Sequence, residues 1–433
     1  MGALAGHLAH LQENLDFTFG ELKSILGDVS SGEMPAVEKV DGQNIFFKFA
    51  VDPETGAIRT ARSKGNLMKG GMSPEQYAAK WAGHPAEGAF MNGFTAIEDA
   101  LAGVGSDSLQ KIFTPQEEDG QRYVNAEIVY TGNPNVINYG GDYIVMHNLQ
   151  EFGPDGKLVD IQLGEGEFSQ LVQAVEAAQQ AQDDKTWSVV GPQITQLQDL
   201  SHTDVQEVLS AKIDALGVTD NMSLADFVEE KLRVGLVGDL PIPTHKQEAL
   251  IKRIIGIGSR ASVEDLPPIA DIKRGLTKDV QKRVSALGTQ ANAMKIIGSI
   301  LAPVEKAIHD MAIEVLRGLT SALSGGHMEE IQRLKDELET ATAQIEAARD
   351  AGSDARREML AKQLNKLGSS ENITSSLEGI VFEHPPGSKS LYKLTGAFAP
   401  LNQIIGAARR IPQGQNESLL RTYIRHVMPI MAG

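Results

Sequence analysis

The sequence predicts an α+β protein: a core of antiparallel sheets with flanking helices, built from residues 1–167 and 369–433 and interrupted by an all-helical insertion at 168–368. Three observations carry that expectation. Runs rich in β-branched and aromatic residues stand at both ends of the chain, as IFFKFAV, AIRTARS, RYVNAEIVY and DYIVMHNLQEF early and GIVFEH and SLYKLTG late. Between them the apolar residues recur at three and four, as in FSQLVQAVEAAQQAQ and DVQEVLSAKIDALG, which is the period of a helix packed on one side. Finally, 433 residues exceed what one small core accommodates, so two or three domains are expected.

Taken in order, residues 3–26 space Leu8, Leu11, Leu15, Phe19, Leu22, Ile25 and Leu26 as a helix or helix pair, with Gly27 as its stop. IFFKFAV and AIRTARS flank Asp52-Pro53-Glu54-Thr55-Gly56 and read as a hairpin whose second strand returns Arg62, Ser63 and Lys64 toward the first. Ser73-Pro74-Glu75-Gln76 carries a capping-box Ser and Gln with Pro at the first helical position, and Thr244 to Gln247 reads as a second capping box. Within 328–350, Ile331, Leu334, Leu338, Ala341, Ile345 and Ala348 form a heptad seam of about three repeats, which predicts a hairpin with REMLAKQLNKL first and an oligomer contact second. GIGSRAS at 256–262 follows a helix and lacks a phosphate-loop lysine, so it reads as a helix-terminating turn.

With 41% hydrophobic and 22% charged residues the composition is that of a globular chain, and no apolar run approaches the ~20 residues of a membrane span. The start lacks the basic flank and cleavage site of a secretory signal, so a cytoplasmic protein without a membrane partner is expected. The absence of Cys excludes disulfides, thiol nucleophiles and thiolate metal sites, and the ten His show no ligand spacing. Net charge is −17, divided as −21 over residues 1–245, +4 over 246–318, −4 over 319–378 and +4 over 379–433. Any polyanionic partner must therefore meet a local basic surface.

The stretch with the most chemistry is Glu38-Lys39-Val40-Asp41-Gly42-Gln43-Asn44. A lysine at the end of the apolar approach Pro35-Ala36-Val37 can sit in a partly closed pocket, lose its proton and become a nucleophile. Asp41 and the backbone freed by Gly42 would hold that amine against a phosphate and let a nucleotide approach.

Followed by the strand glutamate of NAEIVY, then LEGIVFEH and SLYKLTG, this motif resembles those of the covalent nucleotidyltransferases: ATP-dependent DNA and RNA ligases and mRNA capping enzymes. The likeness covers about 35–70, 120–150 and 375–396. Asn44 makes the motif K-x-D-G-x-N, which is most similar to the RNA ligase branch. The resemblance implies a nucleotidyltransferase core that ligates RNA, or less fittingly DNA, through a lysyl-AMP formed from ATP with Mg2+ or Mn2+. Lys39 would be the nucleophile, Glu127 would receive the ribose hydroxyls, Glu378 would serve the metal and the nucleophile, and Lys393 would contact the α-phosphate. Glu38, Asp41, Gly42, Asn44 and Arg62 would line the nucleotide, with Tyr143 or His147 stacking on the base. RNA or DNA ends would be gripped by the basic surplus, with Arg409, Arg410, Arg421 and Arg425 behind the last motif and Lys252, Arg253, Lys273, Arg274, Lys282 and Arg283 in the insertion. Two departures keep other readings open. Thr395 stands where the family has a second lysine, unless Lys389 or Lys48 replaces it, and no terminal oligonucleotide-binding barrel follows. A protein or small-molecule adenylyltransferase, or a binding protein that kept the fold without the chemistry, are the alternatives.

Overall fold

The computed structural model describes residues 8–50, 58–116, 118–154, 156, 158, 165–180, 186–348, 352–388 and 390–411. The hairpin turn at 51–57, Lys389, and the segment bearing Arg421 and Arg425 lie outside the described residues. Among the described residues there are ten strands: β1 (Ala9–His10), β2 (Ala36–Lys39), β3 (Gln43–Phe49), β4 (Ile58–Ala61), β5 (Gln121–Val129), β6 (Asp142–Phe152), β7 (Trp187–Val190), β8 (Ile194–Thr195), β9 (Gly379–Glu383) and β10 (Leu391–Leu394). They form two five-stranded sheets, ordered β1-β10-β9-β2-β8 and β4-β3-β5-β6-β7. Both sheets are mixed, because β1 runs parallel to β10 and β7 parallel to β6. The protein is thus α+β as the sequence predicts, although its sheets are not purely antiparallel.

Each sheet is covered on one face by helices. Ala36, Ile380, Phe382, Tyr392 and Leu394 of the first sheet face a large cluster shared with the helices Phe19–Ser30, Leu224–Val234, Thr244–Gly258 and Ala302–Arg317. Ile45, Phe47, Val124, Ala126, Ile128, Ile144 and Met146 of the second sheet face the helices Pro74–Trp81, Glu87–Ala102, Ser106–Phe113 and Glu165–Gln180. Alternation along each strand sends the intervening residues to the other face. A third cluster joins Val40, Val129 and Val145 to the helices His327–Ala347, Ser353–Leu367 and Phe398–Ala408. The heptad seam is buried inside this cluster, so within the chain it is a packing surface shared with Phe398–Ala408 as well as with its hairpin partner.

Several expectations need correction. The insertion is not all-helical from 168: β7 and β8 pair with β6 and β2, so sheet structure continues to Thr195. These strands are short, and WSVV carries too few residues to display a period. The described part of the N-terminal segment, residues 8–18, is not an α-helix. Ala9 and His10 pair with Tyr392 and Lys393, and the helix starts anew at Phe19, where Thr18 and Glu21 form a capping box; Gly27 lies inside that helix and Ser31 ends it. The box read at Thr244 is absent, since the cap is Pro243 and Gln247 instead donates to the carbonyls of Gly238 and Leu240.

In the first sheet, Gly379 lies close against the end of β10. A Cβ there would run into the carbonyl of Leu394 and lie 2.9 Å from Cα of Thr395. Gly379→Ala should therefore force β9 and β10 apart, lowering stability by about 1–3 kcal/mol. Urea unfolding of the variant beside wild type checks this.

Candidate nucleotide-transfer site

Val40, Asp41 and Gly42 carry the chain from the first sheet to the second, and this short crossing positions the site. Lys39 is the last residue of β2 and lies opposite Gly379. Strand alternation turns it away from the large helical cluster, whereas Glu38 turns into that cluster. Gly42 at the far side of the crossing lies so close to β5 that a Cβ would be 2.7 Å from the carbonyl oxygen of Ile128 and 2.8 Å from Cγ of Glu127. Glycine is required at this point for that approach.

Lys39 Nζ lies 2.5 Å from Glu378 Oε1, with both side chains mostly buried. Burial works against the ammonium, but the carboxylates of Glu378, Glu127 and Asp41 outweigh it and raise its pKa. Burial also pushes the Glu378 carboxyl up, reinforced by the charges of Asp41 and Glu127 and opposed by Lys39. The cluster holds more carboxylates than cations, so both groups hold protons more tightly than free side chains do, Glu378 with a pKa of about 8. In the unliganded protein the lysine is therefore an ammonium, contrary to the expectation that its pocket alone would deprotonate it.

Glu127 sits on β5 opposite Asn44 of β3. Beside it, a bulge between β5 and β6 leaves His147 without a counterpart, and this re-aims the imidazole so that Nε2 is 3.1 Å from Glu127 Oε2. Burial would raise the Glu127 carboxyl, yet the His147 hydrogen bond, the charge of Lys39 and the Gly42 N–H hold it below its ordinary value. Lys393 lies on the same face of the first sheet as Lys39, since Val37, Val381 and Lys393 occupy one cross-strand row. Burial and the neighbouring Lys39 charge lower its pKa. Strands far apart in sequence thus bring Lys39, Glu127, Glu378 and Lys393 into mutual electrostatic range.

Other residues chosen from the sequence do different work. Asp41 is buried and its carboxylate is taken up by the Asn135 amide at 2.5 Å and the backbone N–H groups of Val136 and Ile137 at 2.7 and 2.8 Å, while its own N–H donates to the Tyr139 hydroxyl. Burial raises its carboxyl to about 6. It fastens the loop between β5 and β6 and has no hydrogen bond to the amine. Glu38 accepts from the Ser321 hydroxyl and the Ala322 N–H, tying β2 to the segment that precedes the heptad helix. Asn44 donates to Asn125 at 2.7 Å. Arg62 lies over the rings of Phe90 and Trp81 at 4.6 and 5.3 Å, and Glu127 acts on it only through charge. Tyr143 packs against the third cluster, and His147 is committed to Glu127. Thr395 is buried beside Gly379.

The cationic expectations divide. Arg409 donates to the Asn135 carbonyl and pairs with Glu337 at 2.9 Å, so it braces the loop that Asp41 holds, while Arg410 is exposed. The helices carrying Lys252, Arg253, Lys273, Lys282 and Arg283 bury their apolar sides in the cluster behind the first sheet, on the face away from Lys39. Arg253 there bonds the carbonyls of Gly288 and Pro267, and Arg274 pairs with Asp271. Asn125, Asn135 and Tyr139 escaped the sequence reading, because their contacts with the motif span 81 to 98 residues and no spacing announces them.

Among the described residues no group of three or more His, Asp and Glu is placed to hold a metal ion. A magnesium ion carried by a nucleotide needs only one or two carboxylates, the rest of its shell being phosphate oxygens and water. Glu378 and Glu127 supply that number. No family model matches the chain, and no curated protein or solved structure matches it.

The carboxyl of Asp41, raised to about 6 from 3.8, gives a signed prediction. The folded protein binds the extra proton between those values, so this group favours folding at low pH and the advantage is lost as pH rises through about 6. Asp41→Asn should gain stability relative to wild type between pH 4.5 and 7.5, by up to about 3 kcal/mol. Asp41→Ala should lose about 2–4 kcal/mol at either pH, because two buried N–H groups lose their acceptor. Urea unfolding of the three proteins at both pH values is the measurement.

Proposed function

We propose that the protein is an ATP-dependent polynucleotide ligase, acting on RNA in preference to DNA through a lysyl-AMP on Lys39. The observation that carries the reading is the ion pair of Lys39 with Glu378, placed between Glu127 on one sheet and Lys393 on the other. Residues of the required types, from strands hundreds of positions apart, share one face of charge.

In this reading Glu378, at 2.5 Å, takes a proton from the Lys39 ammonium. The amine attacks the α-phosphorus of ATP, a P–N bond forms, the bond to the pyrophosphate oxygen breaks, and a second proton leaves the nitrogen for solvent. Incoming phosphate charge favours the ammonium as the carboxylates do, so the amine becomes nucleophilic only as Glu378 takes its proton. Lys393 neutralises charge on the α-phosphate, which is the main task of a protein in phosphoryl-type transfer. Glu127, held ionised by His147, accepts from the ribose hydroxyls. Magnesium, when bound, would draw on Glu378 and supply further charge neutralisation. The nucleotide is then passed to a 5′-phosphorylated strand end, and attack by a neighbouring 3′-hydroxyl seals the strand and releases AMP.

A second reading, transfer of AMP to a protein or small molecule, is favoured by one observation: the basic helices at 246–283 stand behind the first sheet, away from Lys39.

Incubation with α-labelled ATP and Mg2+ should attach label to Lys39 in an acid-labile, base-stable bond, and Lys39→Ala should abolish it while leaving unfolding unchanged. Because the resting amine is protonated, labelling should rise by up to about tenfold per pH unit from pH 6.5 upward. Label on another residue, or none at any pH, removes the nucleotidyltransferase reading. Labelling without sealing of nicked RNA moves the assignment to the second one.

A further inference from the structure

The second sheet carries a further cluster of cations that the Lys39 site does not use. Lys48 of β3 lies directly opposite Arg59 of β4, so both project from the same face as Asn44. Four residues along a strand place Lys48 about 13 Å from Asn44 on that face. Lys48 donates to Gln121 Oε1, and its ammonium stands 5.3 Å from the centre of the Tyr123 ring. A cleft of about 620 Å3 runs here, lined among others by Lys48, Arg59, Lys69, Gly70, Thr114 and Gln121.

The glycines of the loop set this geometry. Gly70 and Gly71 both have positive φ, 76° and 89°. A Cβ on Gly71 would be 2.8 Å from Cβ of Arg59, and one on Gly70 would be 3.7 Å from Lys48 Nζ. The loop therefore closes onto the two cations with bare backbone. Among the described residues none of Lys48, Arg59 and Lys69 forms an ion pair, although the chain as a whole is acidic. Burial, and then the charge of Arg59, lower the Lys48 pKa to about 8. Among the described residues three cations are thus gathered with no carboxylate in ion-pair contact, Glu75 acting on Arg59 only through charge, and one of them is half-buried against amide and aromatic groups, which makes the cleft a positive site.

We propose that the Lys48–Arg59–Lys69 cleft binds a backbone phosphate of the polynucleotide substrate, roughly 13 Å along the sheet from the nucleotidyl-transfer site. At the 3.4 Å per charge of one strand, that separation is about four nucleotides, so the cleft would fix the strand's direction across the Lys39 pocket. The choice of ligand rests on the ligase reading above; the positive site does not.

The test uses the full chain, a fluorescein-labelled 5′-phosphorylated 12-nucleotide RNA and the same RNA in a nicked duplex, with anisotropy read from 50 to 200 mM NaCl. Arg59→Ala/Lys69→Ala should weaken binding about tenfold or more at low salt. It should also flatten the plot of log affinity against log salt by about 1.4–1.8, two phosphate contacts' worth. The charge-preserving pair Arg59→Lys/Lys69→Arg should restore both, which a folding defect would not allow. Labelling of Lys39 by ATP should stay within about twofold of wild type. Unchanged affinity and slope overturn the proposal. It is equally overturned if RNA binding is unchanged while the KM for ATP rises or sodium tripolyphosphate alone is bound less tightly, since the cleft would then hold a free polyphosphate. If wild type shows no lysyl-AMP yet the slope change is found, the ligase reading fails and the polynucleotide cleft stands.

Discussion

Everything in this site depends on how few residues carry the chain between its two sheets. Lys39 ends one strand and Gln43 begins the next, leaving Val40, Asp41 and Gly42 to make the passage. Each has one task. Val40 is sealed in the cluster that the C-terminal helices share. Asp41 sinks its carboxylate into backbone donors of the β5–β6 loop. Gly42 lies against β5 where no side chain fits. With the crossing pinned at three points, Lys39 of the first sheet has no choice but to meet Glu127 of the second.

The electrostatics follow from this. A lysine alone in such a place would lose its proton, and the usual account of a nucleophilic amine relies on that. Three carboxylates in range reverse the sign. The result is a resting state that is charged, paired and chemically quiet, whose reactivity depends on what enters. An arriving polyanion competes with the carboxylates for the lysine and raises the proton affinity of both, so ligand binding and protonation are linked. Glu127 differs because His147 secures it, and the bulge in β6 exists to bring that imidazole over.

The helical material does two kinds of work. The helices at 327–367 and Phe398–Ala408 belong to the site, since Arg333 and Glu330 reach the loop that Asp41 holds and Arg409 braces its start. The helices at 205–317 thicken the back of the first sheet. Arg253 and Arg274 among their cations are taken up by backbone carbonyls and a neighbouring acid, so net charge alone does not mark where an anionic partner would lie. On the second sheet, Lys48, Arg59 and Lys69 form no ion pair among the described residues, and they belong to a segment whose net charge is strongly negative.

How much of this was legible in the chain depends on range. Alternating and β-branched runs announced β3, β5, β6, β9 and β10, and the Ser73 capping box opened its helix as read, because those signals are local. Lys39, Glu127, Glu378 and Lys393 were found from residue types in order along the chain, and the folded molecule does gather them. The sequence by itself determined the longer strands and the charged residues on or beside them. Tertiary structure alone decided the rest. Pairing of β7 and β8 to distant strands made sheet out of segments too short to show a period, and the burial of Asp41 turned a presumed ligand contact into a fastening. It also left Lys39 protonated, since the pKa of a buried group is set by the charges around it, and those come from residues as many as 339 positions away.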